Sequence, residues 1–172
     1  MEIKVDFPPP VSGPTFKSLR TGEAFIHQDT FASSGKVFMK VVPIVGQGPE
    51  DGYQQLCLNT GECFGPPPET NKVIPVKINL KGEINFNIQD QTKQYFPLAE
   101  LQRGDCIRCY HPLAYAFAYS ASSVYLVATE YGKPLDIATC VINLMTGMII
   151  PHNQIDFRGI VEKILNPVMT AY

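Results

Sequence analysis

One turn is written twice in this chain, and that repeat narrows the fold more than any other feature. At 58–64 the sequence reads "LNTGECF": an apolar strand end, a turn through Asn59-Thr60-Gly61, and a new strand start. At 144–150 it reads "LMTGMII", with Met145-Thr146-Gly147 in the turn. Two further blocks precede each turn in the same order. Phe16, Leu19, Gly22, Glu23 and Phe25 share their spacing with Leu98, Leu101, Gly104, Asp105 and Ile107. "KVFMKV" at 36–41 then matches "SVYLVA" at 123–128, and "QLCLNTGECF" at 55–64 matches "CVINLMTGMII" at 140–150. The second copy is longer only in the loop "YHPLAYAFAYSASS". Two copies are too few for a solenoid, so the expectation is two small units packed on each other.

The residues between the turns fix the class of those units. β-Branched and aromatic side chains fill 36–45 and 53–64, with loops such as "GQGPEDG" and "GPPPETN" as punctuation. The reading is mainly β: two antiparallel barrel- or sandwich-like modules related by internal duplication, plus a short C-terminal helix. The expected boundaries are an extended segment over 1–15, a first module over 16–76, a bridging hairpin over 77–94 and a second module over 95–172. "EIKVDF" is a possible edge strand before Pro8-Pro9-Pro10. The hairpin rests on the alternation of Ile78, Leu80, Ile84, Phe86 and Ile88, with Lys81-Gly82 as its turn. The C-terminal helix rests on Ile160, Val161, Ile164 and Leu165 sharing one face, with Pro167 ending it. Gly61 and Gly147 are expected at positive φ.

Charge removes several functional classes. Only 17 % of the 172 residues are charged, the formal net charge is −2, and Lys and Arg do not cluster. Attraction to phosphates supplies most non-specific nucleic-acid affinity, so general DNA or RNA binding is not expected. The N-terminus has no apolar run after a basic start, and no window of spanning length lacks polar interruptions. A soluble, unexported chain with no membrane association is the expectation. Five Cys, an odd number, read as reduced thiols.

No catalytic constellation is legible. His27, His111 and His152 are isolated, acids are scattered, and "VGQGPEDG" lacks the Lys-Ser/Thr of a phosphate loop. An enzyme is not expected, nor a cofactor. Cys106-Ile107-Arg108-Cys109 followed by His111 has the Cys-x2-Cys spacing that lets two thiolates meet one zinc ion. Cys57 and Cys63 are the only other pair, at loose spacing, and small apolar residues are expected at strand starts such as Cys106. Buried thiols are therefore preferred to a metal site. The loop 110–132 concentrates Tyr110, Tyr115, Phe117, Tyr119, Tyr125 and Tyr131. Aromatics with a polar handle give large contact area at low entropy cost, though the same rings could fill the core of a Trp-free protein. Tyr110, Tyr115, Phe117, Tyr119 and Tyr131 are the candidate binding residues.

The repeated block resembles a type found in short phage-encoded proteins. That type runs Phe-x-x-Leu-x-x-Gly-Asp/Glu-x-Phe, a Val-Tyr-x-Lys strand, Asn-Leu-x-Thr-Gly-Glu and a closing Val strand. The first copy carries Phe16, Leu19, Gly22, Glu23, Phe25, Val37, Phe38, Lys40, Leu58, Thr60, Gly61, Glu62 and Val73; the second carries Leu98, Leu101, Gly104, Asp105, Ile107, Val124, Tyr125, Asn143, Leu144, Thr146 and Gly147. The second departs at Val127 and Met148, where the type has Lys and Glu. The resemblance implies a non-enzymatic phage accessory protein in the host cytoplasm. It would bind a host protein or sequester a small nucleotide signal, as a homo-oligomer. The alternatives are a structural or virion-associated module and a zinc-dependent factor using Cys106, Cys109 and His111.

Overall fold

Alternating apolar residues on both sides of each Thr-Gly turn become paired strands. The computed structural model describes residues 1–5, 13–30, 35–43, 52–85, 101–109, 124–151 and 161–172. In order these form β1 (Glu2–Val5), β2 (Ala24–His27), β3 (Phe38–Pro43), β4 (Gln54–Cys57), β5 (Glu62–Phe64), β6 (Val73–Val76), β7 (Ile78–Asn85), β8 (Cys106–Cys109), β9 (Val124–Ala128), β10 (Cys140–Asn143), β11 (Met148–Pro151) and β12 (Val161–Ala171). The helical pieces among the described residues are two 3-10 turns, Phe16–Ser18 and Gln28–Thr30. No helix among them is long and apolar enough to cross a membrane.

All twelve strands join one strongly curled, half-barrel sheet. Within it the two halves pair in the same order. β2 lies between β6 and β3, β3 pairs β4, and β4 pairs β5. Likewise β8 lies between β12 and β9, β9 pairs β10, and β10 pairs β11. The registers correspond: Ala24 faces Met39 as Cys106 faces Leu126, and Met39 faces Leu56 as Leu126 faces Ile142. The halves are also stitched together reciprocally. β11 runs parallel to β3 with Met148 beside Val42, and Glu62 of β5 bridges Thr129, just past β9, in parallel.

One apolar core serves both halves. Ile26, Met39, Leu56 and Ile74 from the first pack with Leu126, Ile142, Ile149 and Ile164 from the second. Each is largely or wholly sealed from water, which is the main source of folding free energy. A smaller cluster of Phe16, Leu19, Phe25 and Val73 sits apart from it, in the first half. β6 runs on through Lys77 into β7, and β7 pairs antiparallel with β12. The chain itself therefore links β6, at one end of the strand order, to β7 beside β12.

Two expectations are corrected here. Lys81-Gly82 is not a hairpin turn, because β7 passes straight through it. Its partner is β12, with Lys81 beside Val168 and Glu83 beside Leu165. Gly82 thus falls opposite a bulge at Asn166-Pro167, a common place for glycine inside a strand. The C-terminal helix is a strand over 161–171, the first residues of that expectation lying outside the described set. β12 is held on both sides: by β7 along its length, and by β8 and then β1 on the other edge. Ladder bonds on two sides outweigh a short stretch of helix-like spacing. Pro167 has no N–H to offer a ladder, and the bulge is where that loss is tolerated. The edge strand expected near the N-terminus forms as β1.

Candidate functional site

The chemistry gathers where each Thr-Gly turn meets the opposite half. Gly61 and Gly147 have φ of +71° and +72°, as the turn reading requires. Each closes its turn by donating to the residue four back: Gly61 N–H to the Cys57 carbonyl at 2.9 Å, Gly147 N–H to that of Asn143 at 2.8 Å. Their carbonyls then cross over. The Gly61 carbonyl accepts from Thr129 N–H, and the Gly147 carbonyl from Val42 N–H, both at 2.9 Å. The Gly-acid turns, by contrast, are tied down within their own halves. Gly22 N–H donates to the Lys40 carbonyl at 2.7 Å, and Gly104 N–H to that of Val127 at 2.8 Å. The acids brace these turns: Glu23 accepts from Arg20 N–H at 2.7 Å, and Asp105 from Gln102 N–H at 2.9 Å. The approach is so close that a Cβ on Gly61 would lie 2.8 Å from Gly104 N and 2.9 Å from Arg103 Cγ. Glycine at 61 is therefore what lets the Arg103 stem cross the turn beside Thr60.

That junction opens into a cavity of about 770 Å³. It is lined from three directions: Asn59 and Thr60 of the first half, Arg103 to Asp105 of the second, and Lys163 to Val168 of β12, with Met1 and Glu2 of β1. The opening follows from the sheet. β12 leaves β8 after Ile164 and meets β1 only at Val168, so Leu165, Asn166 and Pro167 bulge without a ladder partner on that edge. Asn166 takes φ +47° there, a conformation asparagine tolerates better than most residues.

The charges in the cavity are unequal in their partners. Lys163 Nζ lies 3.1 Å from Asp105 Oδ2, so that pair compensates itself. Arg103 Nη1 is buried and has no hydrogen-bond partner among the described residues. Thr60 Oγ1 is in the same state. A buried polar group left unpaired costs about 1–3 kcal/mol, more when charged. Both residues line the cavity, and no described residue uses the hydrogen-bonding capacity of these two atoms.

A second cation is buried without being available. Lys40 is only 4 % exposed. Its Nζ donates to the carbonyls of Phe16 at 3.3 Å, Lys17 at 3.2 Å and Leu19 at 2.8 Å, which uses all three of its protons. It also lies 4.9 Å from the Phe16 ring centroid and 4.3 Å from that of Tyr53. Burial holds its pKa below the usual lysine value, partly offset by Glu23. Lys40 closes the base of a second cavity of about 690 Å³ among Phe16, Leu19, Tyr53, Pro66 and Pro67, where it acts as a strut for the 3-10 turn.

The residues singled out by sequence fare differently. Tyr110, Tyr115, Phe117 and Tyr119 lie outside the described residues. Tyr131 is 62 % exposed and its ring lies over Gly65, yet it does not line the junction cavity. Tyr125, from the same aromatic run, is wholly buried in β9. Cys106 is buried, and burial pushes its thiol up to about 12, which opposes the thiolate that zinc needs. Among the described residues no three His, Cys, Asp or Glu side chains converge to hold a metal ion; His111 lies outside them. His27 is structural, with Nε2 2.7 Å from Gln55 Oε1 and its ring set edge-on to Phe25 and Phe38. Sequence reasoning missed Arg103, Lys163 and Asn166 because they are far apart in the chain and converge only through the fold. Thr60 and Asp105 carried a signal, but as turn formers. No family model matches the chain, and comparison with curated proteins and with solved structures likewise returns no match.

Proposed function

We propose that this protein is a non-enzymatic binding module that takes a small anionic ligand into the junction cavity. One observation carries the reading: the cavity is lined by Arg103 and Thr60, and each has a polar atom, Nη1 and Oγ1, that is buried and unpaired among the described residues. Concave sites of this size with a few convergent polar groups are the usual form of a ligand pocket. Of the two partner classes anticipated, a host protein and a small nucleotide signal, the cavity favours the small ligand. Binding without turnover fits the lining, since Asp105 is already engaged by Lys163 and the Gln102 N–H. The resemblance to phage-encoded modules supports a setting in the host cytoplasm during infection, with capture of a host signal as the outcome. Repetition of the same pairing order, register by register, supports internal duplication as the origin of the two halves.

Native mass spectrometry of the gently purified protein tests this reading. The expected result is a retained or titratable anionic mass on the wild type that Arg103→Gln loses. Equal spectra for wild type and variant across a panel of anions overturn it. Large open assemblies without small-molecule mass would instead support the virion-associated alternative.

A further inference from the structure

The geometry points to a phosphate monoester with a polar, uncharged body as the ligand of the junction cavity, an inference that rests on the anion-binding reading above. Three residues that carry donors line the site from three separate segments: Thr60 from the β4–β5 turn, Arg103 from the turn before β8, and Lys163 from β12. A planar carboxylate is satisfied by one guanidinium fork. A tetrahedral anion with three terminal oxygens accepts donors converging from several directions, and arginine suits it. The charge balance agrees. Asp105 lies 3.1 Å from Lys163 and offsets it, and the Met1 α-amino group stands against the Glu2 carboxylate, so Arg103 supplies the net positive charge of the lining.

The rest of the wall describes the rest of the ligand. Free phosphate would leave most of about 770 Å³ unfilled. Beyond the cations the cavity presents Asn59, Asn166 and Pro167 together with the Glu2 carboxylate, which offer amide hydrogen bonds, an apolar surface and an acceptor for hydroxyl groups. A sugar, or a sugar carrying a base, matches that lining. The shared chemistry is the phosphomonoester, and a nucleotide and a sugar phosphate are its two sources.

Isothermal titration tests it with adenosine 5′-monophosphate, ribose 5-phosphate, adenosine, inorganic phosphate and succinate as probes. The phosphomonoesters are expected to bind, inorganic phosphate more weakly, adenosine and succinate not at all. A preference for the nucleotide over ribose 5-phosphate would assign the base as part of the recognised body. Arg103→Gln is expected to weaken phosphomonoester binding by about tenfold or more, and Thr60→Val by about threefold to tenfold, as losses of a charged and a neutral hydrogen bond. Melting curves of the ligand-free variants keep the result interpretable, since both are expected to fold. Succinate binding that depends on Arg103, without phosphate binding, would overturn the phosphate inference and leave the anion reading standing. Equal affinity for inorganic phosphate and the esters would overturn the organic body. Phosphate binding unchanged in both variants, or no anion binding at all, would overturn inference and reading together.

Discussion

At the junction of Thr60 with Gly104 the neighbouring positions hold Asn59, Arg103, Asp105 and Lys163. At the matching junction of Thr146 with Gly22 they hold Met145, Thr21, Glu23 and Pro75. The backbone bonds are the same in both, donor for donor and nearly distance for distance. A lock made of backbone groups and glycines asks little of the side chains around it, so the two junctions differ freely in side chains. The buried cations sharpen the contrast. Lys40, whose carbonyl takes the Gly22 bond, has every ammonium proton on a backbone carbonyl. Its counterpart in register is Val127, and the cation beside the matching turn is the half-buried Arg103, whose Nη1 is buried and unpaired among the described residues. A satisfied buried charge holds a fold together, whereas a buried donor without a partner detracts from stability.

The largest expected effect breaks the shared lock. A Cβ at Gly147 would lie 2.4 Å from Gly22 N and 2.7 Å from the Lys40 carbonyl oxygen. Gly147→Ala should therefore cost about 3–5 kcal/mol by denaturant titration, combining positive φ with backbone overlap. Gly61→Ala should cost nearly as much and also displace Arg103. Gly132 is the control: its φ is +79° but nothing lies within 4 Å of an added Cβ. Gly132→Ala should cost only about 1 kcal/mol. Equal losses at 132 and 147 would mean that the close approach of the halves contributes nothing.

Next come the cations. Lys40→Met should destabilise by about 3 kcal/mol, because three carbonyls lose a charged donor in a largely buried site. Arg103→Gln should leave the ligand-free melting temperature unchanged or raise it. A marked fall would make Arg103 a second strut and remove the contrast with Lys40.

The last effect concerns the core shared by both halves and is absent at neutral pH. Burial raises Cys106 from 9.0 to about 12. Between those values the unfolded chain loses its thiol proton while the folded chain keeps it, so the folded state binds more protons. Stability contributed below pH 9.0 should then decline as pH rises towards 12. In a Cys106→Ala variant that part of the decline should disappear, as read by melting curves across the range.

Much of this fold was legible because its signals are local. The Thr-Gly turns, the strands beside them and the glycines at positive φ follow from alternation and turn chemistry within a few residues. Lys81-Gly82 and 157–168 were misread for one reason: their conformation depends on β7 and β12 pairing with each other, about eighty residues apart in the chain. The site was less legible still. Tyr131 stood out by its aromatic neighbours, yet Arg103, Thr60 and Lys163 stand together only after the sheet curls. By itself the sequence determined a β fold written twice, since turn and strand preferences act over short range. Only the tertiary structure decided that the halves cross at their turns, and that one crossing, opened by the bulge in β12, leaves an arginine nitrogen and a threonine hydroxyl buried without partners among the described residues.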